Sequence, residues 1–332
     1  DVCSSDLHMK SPVIENKVFA FNVPRKHNLK YWIQYILLVG MDCFYKLLFT
    51  TIRHSNKPKK YTLSVCSIFK NEAPYLKEWI EYYLLVGVDH FYLYNNNSED
   101  DFMFVIQPYI DNGIVTINEW PDIPGQISAY KHWYEHYRHE TNWCSFLDLD
   151  EFICPIRDTN LKQWLEKHHK YPLYAIYWKM FGTSGLLEFD KNKLVIEQYT
   201  NSWDKFASAT KIIYNTDYDI ECFFTSMMHK FNVRFHGFSI PPINMFGYFI
   251  NHWEIHRHGG QEADIQCNHY WSKSFYEYNA KHKRGDAIWT KGESKRSMKM
   301  FLWHEHFNRS QNHIIQRFLI EMKLRVNSVK VL

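Results

Sequence analysis

The chain has 332 residues, 45% apolar and 23% charged, and its 39 Lys and Arg against 36 Asp and Glu leave a formal charge of +3. This balance is globular: it excludes a disordered, collagenous or multi-span membrane protein, and the mixed charges lack the concentrated positive field of a nucleic-acid binder. The length admits one large domain or two ordinary ones, with a core that needs neither disulfide nor metal. Seven Cys form an odd set without a CxxC pair and read as buried thiols of a reducing compartment. Aromatic residues make up 18% of the chain, which suits both a ring-rich interior and platforms on which sugars stack.

Residues 1–8 show no periodicity, precede Met9 and read as a non-native or unstructured leader, set apart from a membrane-proximal segment over 9–60. No cleavable signal peptide is visible, since the first long apolar run begins near Tyr31 without a small-residue cleavage site after it. That run, Tyr31 to Ile52, is long enough to cross a bilayer and is flanked by Lys26, His27, Lys30, Arg53 and Lys57. Gln34, Asp42 and Lys46 oppose spanning, and Asp42 and Lys46 at i, i+4 favour an interfacial helix. The polar, basic Ser55–Lys60 stretch then marks a boundary.

From Tyr61 strand and helix patterns alternate. Tyr61–Ile68, His90–Tyr94, Gly113–Asn118, Asn142–Leu149 and Leu173–Lys179 read as strands; Ala73–Val86, Phe102–Ile110, Gln126–His139 and Asn160–His169 read as helices. Helices of this length between strands imply right-handed crossovers and a mainly parallel sheet, an α/β domain over 61–290. Beyond residue 180 the pattern becomes irregular, with helices near Ser272–Lys283 and Gln311–Leu324 and a helical extension over 291–332. In such sheets ligands gather at the carboxyl ends of strands. Polar clusters fall there: Lys70, Asn71 and Glu72; Asn95, Asn96 and Asn97; Asp148, Asp150 and Glu151.

Asp148 and Asp150 directly follow an apolar run, and positions i and i+2 of a strand share a face, so the two carboxylates are expected to project together. Such a pair repels unless a cation joins it, and hard oxygen ligands suit Mg2+ or Mn2+ bound to substrate phosphates; a solvated loop start or a cap is the plain alternative. His252 and His256 sit at i, i+4, but Glu254 lies midway, which is not the HExxH spacing of a zinc helix. His269 in Asn268-His269-Tyr270 suits either a structural role or a place beside a metal. Lys273, Lys281, Lys283 and Arg284 around Tyr276 and Tyr278 suit a solvated helix face or a contact to a diphosphate or nucleic acid.

The order of these motifs resembles glycosyltransferase family 92 and its bacterial relatives in the family 2-like group. The similarity runs from Cys66–Asp101 through Ile106–Pro121, Gln126, Phe146–Pro155, Trp178–Gly185 and Lys211 to Asn268–Asp286. The resemblance implies a GT-A fold, a nucleotide-binding α/β sandwich joined to an acceptor-binding part, and transfer of a hexose, galactose favoured, from a nucleotide-diphosphate donor with inversion, using Mn2+ or Mg2+. Carried over by position, Asp148 and Asp150 match the Asp-x-Asp motif and Glu151 its following acid, and His269 becomes the third metal ligand. Lys70, Asn71, Glu72, Asn95 and Asn97 match donor-binding loops, and Lys273, Lys281 and Arg284 become diphosphate contacts. Glu188, Asp190 and Asp204 are base candidates, and Trp178, Tyr270 and Trp271 acceptor platforms, within an aromatic group that includes Phe181, Trp203, Phe206, Phe246, Tyr248 and Trp253.

The expected partners are UDP-galactose and a glycan or lipid-linked acceptor, with peripheral membrane contact at the cytoplasmic face, as in lipopolysaccharide or capsule synthesis. Two other classes fit parts of the pattern: a metal-dependent phosphodiesterase or nucleotidyltransferase, and a noncatalytic carbohydrate-binding protein.

Overall fold

The computed structural model describes residues 28–51, 58–223, 229–250, 253, 255–284 and 297–327. The leader, Lys26, His27, Arg53, Lys57, His252, Glu254 and the Arg284 side chain lie outside them. The helices are α1 (Leu29–Thr51), α2 (Ala73–Leu85), α3 (Phe102–Asp111), α4 (Gln126–His136), α5 (Leu161–Lys167), α6 (Val195–Gln198), α7 (Phe275–Arg284), α8 (Met298–His306) and α9 (Leu319–Val326). The first seven strands are β1 (Tyr61–Phe69), β2 (His90–Asn95), β3 (Val115–Glu119), β4 (Thr141–Phe146), β5 (Glu151–Pro155), β6 (Leu173–Met180) and β7 (Asn201–Trp203). They are followed by β8 (Thr210–Asn215), β9 (Asp219–Ile220), β10 (Val233–Phe235), β11 (Phe238–Ile240), β12 (Ile243–Asn244), β13 (Ile265–His269) and β14 (Asn308–Gln311).

The class is α/β, as the pattern predicts. The central sheet runs β3-β2-β1-β4-β8-β6-β13-β5, with β12 beside β6. β3, β2, β1 and β4 are parallel, while β8 is antiparallel to both β4 and β6 and β5 is antiparallel to β13. The first four strands are therefore the expected parallel unit, and the second half is mixed. Leu173–Met180 forms a strand as expected, but Thr210–Asn215 intervenes between it and β4. The irregular reading beyond residue 180 is corrected too: β7 to β13 lie there as strands of 2 to 6 residues, too short for a periodic signal.

Successive strand residues point to opposite faces, and the rings show it. Phe91 packs on Trp79 of α2 with centroids 5.6 Å apart, and Tyr92 meets Trp133 of α4 at 6.0 Å, so the two helices cover opposite faces of the sheet. Pro74 near the start of α2 is tolerated because its missing N–H has no helical acceptor there. Cys66, Cys144, Cys154 and Cys267 are buried free thiols, and Cys43 and Cys222 are exposed.

The terminal segments join the same body. β14 pairs with β7, so the region read as a helical extension also supplies a strand. On α9, Arg325 lies 3.6 Å from Glu81 of α2. Asp42 of α1 accepts the Phe249 N–H at 2.8 Å and pairs with Arg257 at 2.9 Å.

Glu78 fastens α2 to the start of α6: its carboxylate accepts the N–H groups of Val195 at 2.7 Å and Ile196 at 3.1 Å. Burial raises its carboxyl from 4.5 to about 7, with the backbone bonds pulling the other way. The native state thus keeps a proton that the unfolded chain has lost across that window, so this group's contribution to stability falls as pH rises from about 4.5 through 7. Denaturant titrations should show it as roughly 3 kcal/mol of pH-dependent stability, and Glu78→Gln should remove that part of the slope. An unchanged slope in the variant counts against the assignment.

Candidate active site

The sheet directions bring one set of ends together. The carboxyl ends of β1, β2, β4, β6 and β13 and the amino ends of β5 and β8 lie along one edge. Phe146 and Glu151 are joined there by residues 147–150. A link this short draws the β13–β5 end of the sheet back toward β4, since each residue spans at most about 3.5 Å. Trp79 and Tyr83 of α2 hold it there: both donate to the Glu151 carbonyl, at 3.1 and 3.0 Å, and the Tyr83 hydroxyl accepts the Ile153 N–H at 2.9 Å.

Asp148 and Asp150 lie in this link and not in a strand, which corrects the shared-face reading. They meet different cations. Asp148, partly exposed, receives Lys211 Nζ at 2.9 Å and Gln126 Nε2 at 3.2 Å. Lys211 also lies 2.8 Å from Glu151, and both of these side chains are fully buried. Burial alone lowers an ammonium, but Asp148 and Glu151 reverse this and hold Lys211 well above its ordinary value. Burial raises the Glu151 carboxyl to about 8, with Lys211 opposing. The Asp148 N–H donates to Glu151 Oε2 at 2.9 Å, tying the acid back onto its own turn.

Asp150 is buried and lies 2.6 Å from Lys281 of α7 and 3.6 Å from His269 Nε2 at the end of β13. Burial pushes its carboxyl up, but Lys281 and His269 outweigh this and hold it well below the ordinary carboxylate range. Burial lowers His269, with Asp150 opposing, and its buried Nδ1 has no hydrogen-bond partner. Glu72 completes the cluster, 3.4 Å from Lys273 and 4.0 Å from Lys281. Lys273 is buried, lies over the Tyr75 ring and is lowered to about 8 by burial, with Glu72 opposing. Asp150 thus meets Lys281 through one oxygen and His269 through the other, with Lys273 joined to the cluster through Glu72.

The residues present fit a divalent ion. A carboxylate oxygen and an imidazole nitrogen converge at 3.6 Å, and such donors suit an ion that fills its shell with water and phosphate oxygen. No group of three His, Cys, Asp or Glu side chains placed to hold a metal occurs among the described residues; the pair brought together is Asp150 and His269.

The other expected residues divide. Asn71, at φ 52°, and Asn97, at φ 56°, take left-handed turns at the ends of β1 and β2. The two loops interlock: the Glu99 N–H donates to Asn71 at 2.7 Å and the Asn71 N–H to Ser98 at 2.9 Å. Asn95 donates to Glu119 at 2.7 Å and accepts the Ser98 N–H, and Asn97 donates to the Pro121 carbonyl, so both amides brace the loops. Lys70 stands half-buried beside them. Glu188, Asp190 and Asp204 are exposed, with Asp190 bonded to its own turn through the Asn192 N–H.

The acceptor platforms are corrected in two of three cases. Tyr270 is fully buried, packed on Phe181 at 4.7 Å and Phe152 at 5.5 Å. Trp271 stacks on His304 of α8 at 4.5 Å, so its face is taken. Phe181, Trp203 and Phe246 are likewise core. Trp178 is half-buried and sits at the cluster, 4.2 Å from the His269 ring and 4.9 Å from His229. His256 hydrogen-bonds Tyr177 at 2.8 Å in place of any zinc role. The sequence offered no signal for His229, whose place beside Trp178 depends on a contact between distant segments; burial lowers it to about 4.

Residues 59–290 match glycosyltransferase family 92. A family 92 protein of Arabidopsis thaliana is 37% identical over 146 residues, 44% of this chain and 21% of the relative. One from Ricinus communis is 37% identical over 102 residues, 30% of this chain and 18% of the relative. The matched segments thus span about a fifth of these relatives' length. The solved structure of S. aureus TarS 1-349 aligns at 14% identity and TM-score 0.32, covering 47% of each chain.

Removing the Lys211 ammonium takes the cation from both Asp148 and the buried Glu151, and breaking a buried pair of this kind costs about 3 to 5 kcal/mol where the acid stays ionised. Lys211→Met should therefore lower the denaturation midpoint steeply, and Lys211→Met with Glu151→Leu should recover most of the loss because no lone buried charge remains. Equal stability of wild type and single variant would contradict the buried pair.

Proposed function

The chain belongs to glycosyltransferase family 92, and on that premise we propose that it transfers a hexose, galactose favoured, from a nucleotide diphosphate to a glycan or lipid-linked acceptor with inversion. The observation that carries the reading is the cluster of Asp150, His269, Lys281, Glu72 and Lys273 where the strand ends converge.

The nucleoside belongs in the interlocked loops after β1 and β2, with its diphosphate against Lys273 and Lys281. Asp150 and His269 would hold Mn2+ or Mg2+, which when bound supplies positive charge beside the departing diphosphate. Lys273 and Lys281 add fixed positive charge at the same place, in surroundings where water does not screen it, and so favour the transition state over the bound donor. Gln126 and Lys211 fix Asp148 at the entrance through its two oxygens. Trp178 lies beside the cluster among the three expected platforms, and the acceptor hydroxyl attacks the anomeric carbon from that side, its proton passing to a general base, as the diphosphate leaves on the other. The exposed positions of Glu188, Asp190 and Asp204 favour surface roles for them.

A panel of nucleotide sugars tests this. UDP-galactose with Mn2+ should raise the thermal midpoint, by an amount equivalent to about 2.7 kcal/mol at a hundredfold excess over Kd, and the enzyme should release UDP when an acceptor is supplied. Asp150→Asn and Lys281→Met should each lower turnover by roughly 100-fold or more with the fold retained. Cleavage of nucleic acid without UDP release supports the phosphodiesterase class, and chelator-insensitive glycan binding without turnover the binding-protein class.

A further inference from the structure

Helix α1 is turned inside out. Its inward side carries its one carboxylate, Asp42, buried on the Phe249 N–H and on Arg257. Tyr45 donates to the Ser239 carbonyl at 2.8 Å, and Phe49 packs on Tyr171 at 5.4 Å. Its outward side is mainly apolar: Leu29 is 77% exposed, Ile36 68%, Leu37 55% and Leu47 68%, with Trp32 and Phe44 about half exposed and only Lys30 and Thr50 as exposed polar side chains near the two ends. Phe238 at the β10–β11 turn is 47% exposed and lies 5.9 Å from Phe44, which widens the patch beyond the helix.

We propose that this face lies in the plane of a lipid bilayer, sunk to the boundary of headgroups and acyl chains, so that the helix anchors the protein without crossing the membrane. Spanning would require the helix to leave its seat, strip Asp42 from Arg257 and place a carboxylate in hydrocarbon. Docked, it presents a strip of about 33 Å, from 22 residues at 1.5 Å each, on which the Thr50 hydroxyl donates to its own helix at Leu47.

A protein partner covering that strip would ordinarily exchange about one hydrogen bond per 100 to 200 Å², and among the outward apolar side chains named here only the Trp32 indole carries a donor, a ring that suits the headgroup boundary. Hydrocarbon asks for none. Asp42 is shared by Arg257 and, at 3.9 Å, Lys46, so the helix with this neighbour keeps a positive balance: Lys30 is exposed near its start and Lys46 part-exposed at the border of the docked side. Both are cations, which complements an anionic lipid surface.

The full chain is mixed with vesicles of phosphatidylethanolamine and phosphatidylglycerol, 3:1, and floated on a density gradient. The protein should rise with the vesicles, and Ile36→Glu with Leu47→Glu should reduce the bound fraction at least tenfold while circular dichroism and the thermal midpoint stay unchanged. Cys43, exposed on α1, carries an environment-sensitive fluorophore in a Cys3→Ser, Cys222→Ser background; its emission should shift to the blue on vesicle addition. Alkaline carbonate should release the protein. Retention after carbonate means a spanning helix and overturns the proposal. So does a vesicle-insensitive fluorophore, or a dimer in light scattering that Ile36→Glu dissociates while vesicle binding is absent. UDP release plays no part in these readings.

Discussion

The Lys211 ammonium, shared by Asp148 and Glu151 with no access to water, is the contact on which the site depends. An ammonium is tolerated in such surroundings only when carboxylates surround it, and those carboxylates come from the link between β4 and β5 and from the first residue of β5. The link therefore cannot shift without exposing the charge or leaving it unpaired. With residues 147–150 held, Asp150 is directed to the other side, toward His269 and Lys281. One buried cation thus orients two acids that differ in exposure and in partners.

The second constraint is the meeting of segments far apart in the chain. Glu72 on the first loop holds Lys273 from a residue 201 positions later, and Lys281 reaches Asp150 across 131 positions. The C-terminal segment adds to this from outside the family match. Glu305 of α8 accepts the Thr183 N–H at 3.1 Å and its hydroxyl at 2.8 Å, and the Trp203 indole donates to the His304 carbonyl at 3.1 Å. These contacts brace the Gly182–Gly185 loop behind Trp271. Rings that looked suited to sugar are used instead to seat α8, because an aromatic face buried against another ring gains more than one left to water.

The parallel half of the sheet was legible because β1 to β4 are apolar runs of 5 to 9 residues separated by helices with regular spacing. Asp148, Asp150, His269, Lys273 and Lys281 were legible as residues: charged groups after apolar strands or inside an ordered motif string. Their pairing was not. The strand rule put both aspartates on one face, whereas a four-residue turn places them on different cations. His229 was missed for a related reason, since a single His carries no pattern until folding sets it beside Trp178.

The sequence alone determined the α/β class, the family and the residue types of the site, because alternation, helical spacing and motif order are local properties of the chain. Only the tertiary structure decided which side of α1 faces the body, which rings are core, and that Asp150 rather than Asp148 sits with His269 and Lys281. Those outcomes follow from burial: a charge or a ring is placed by the partner that compensates its loss of water, and the partners here come from other segments of the chain, Phe249 for Asp42 and Lys281 for Asp150 from more than a hundred residues away.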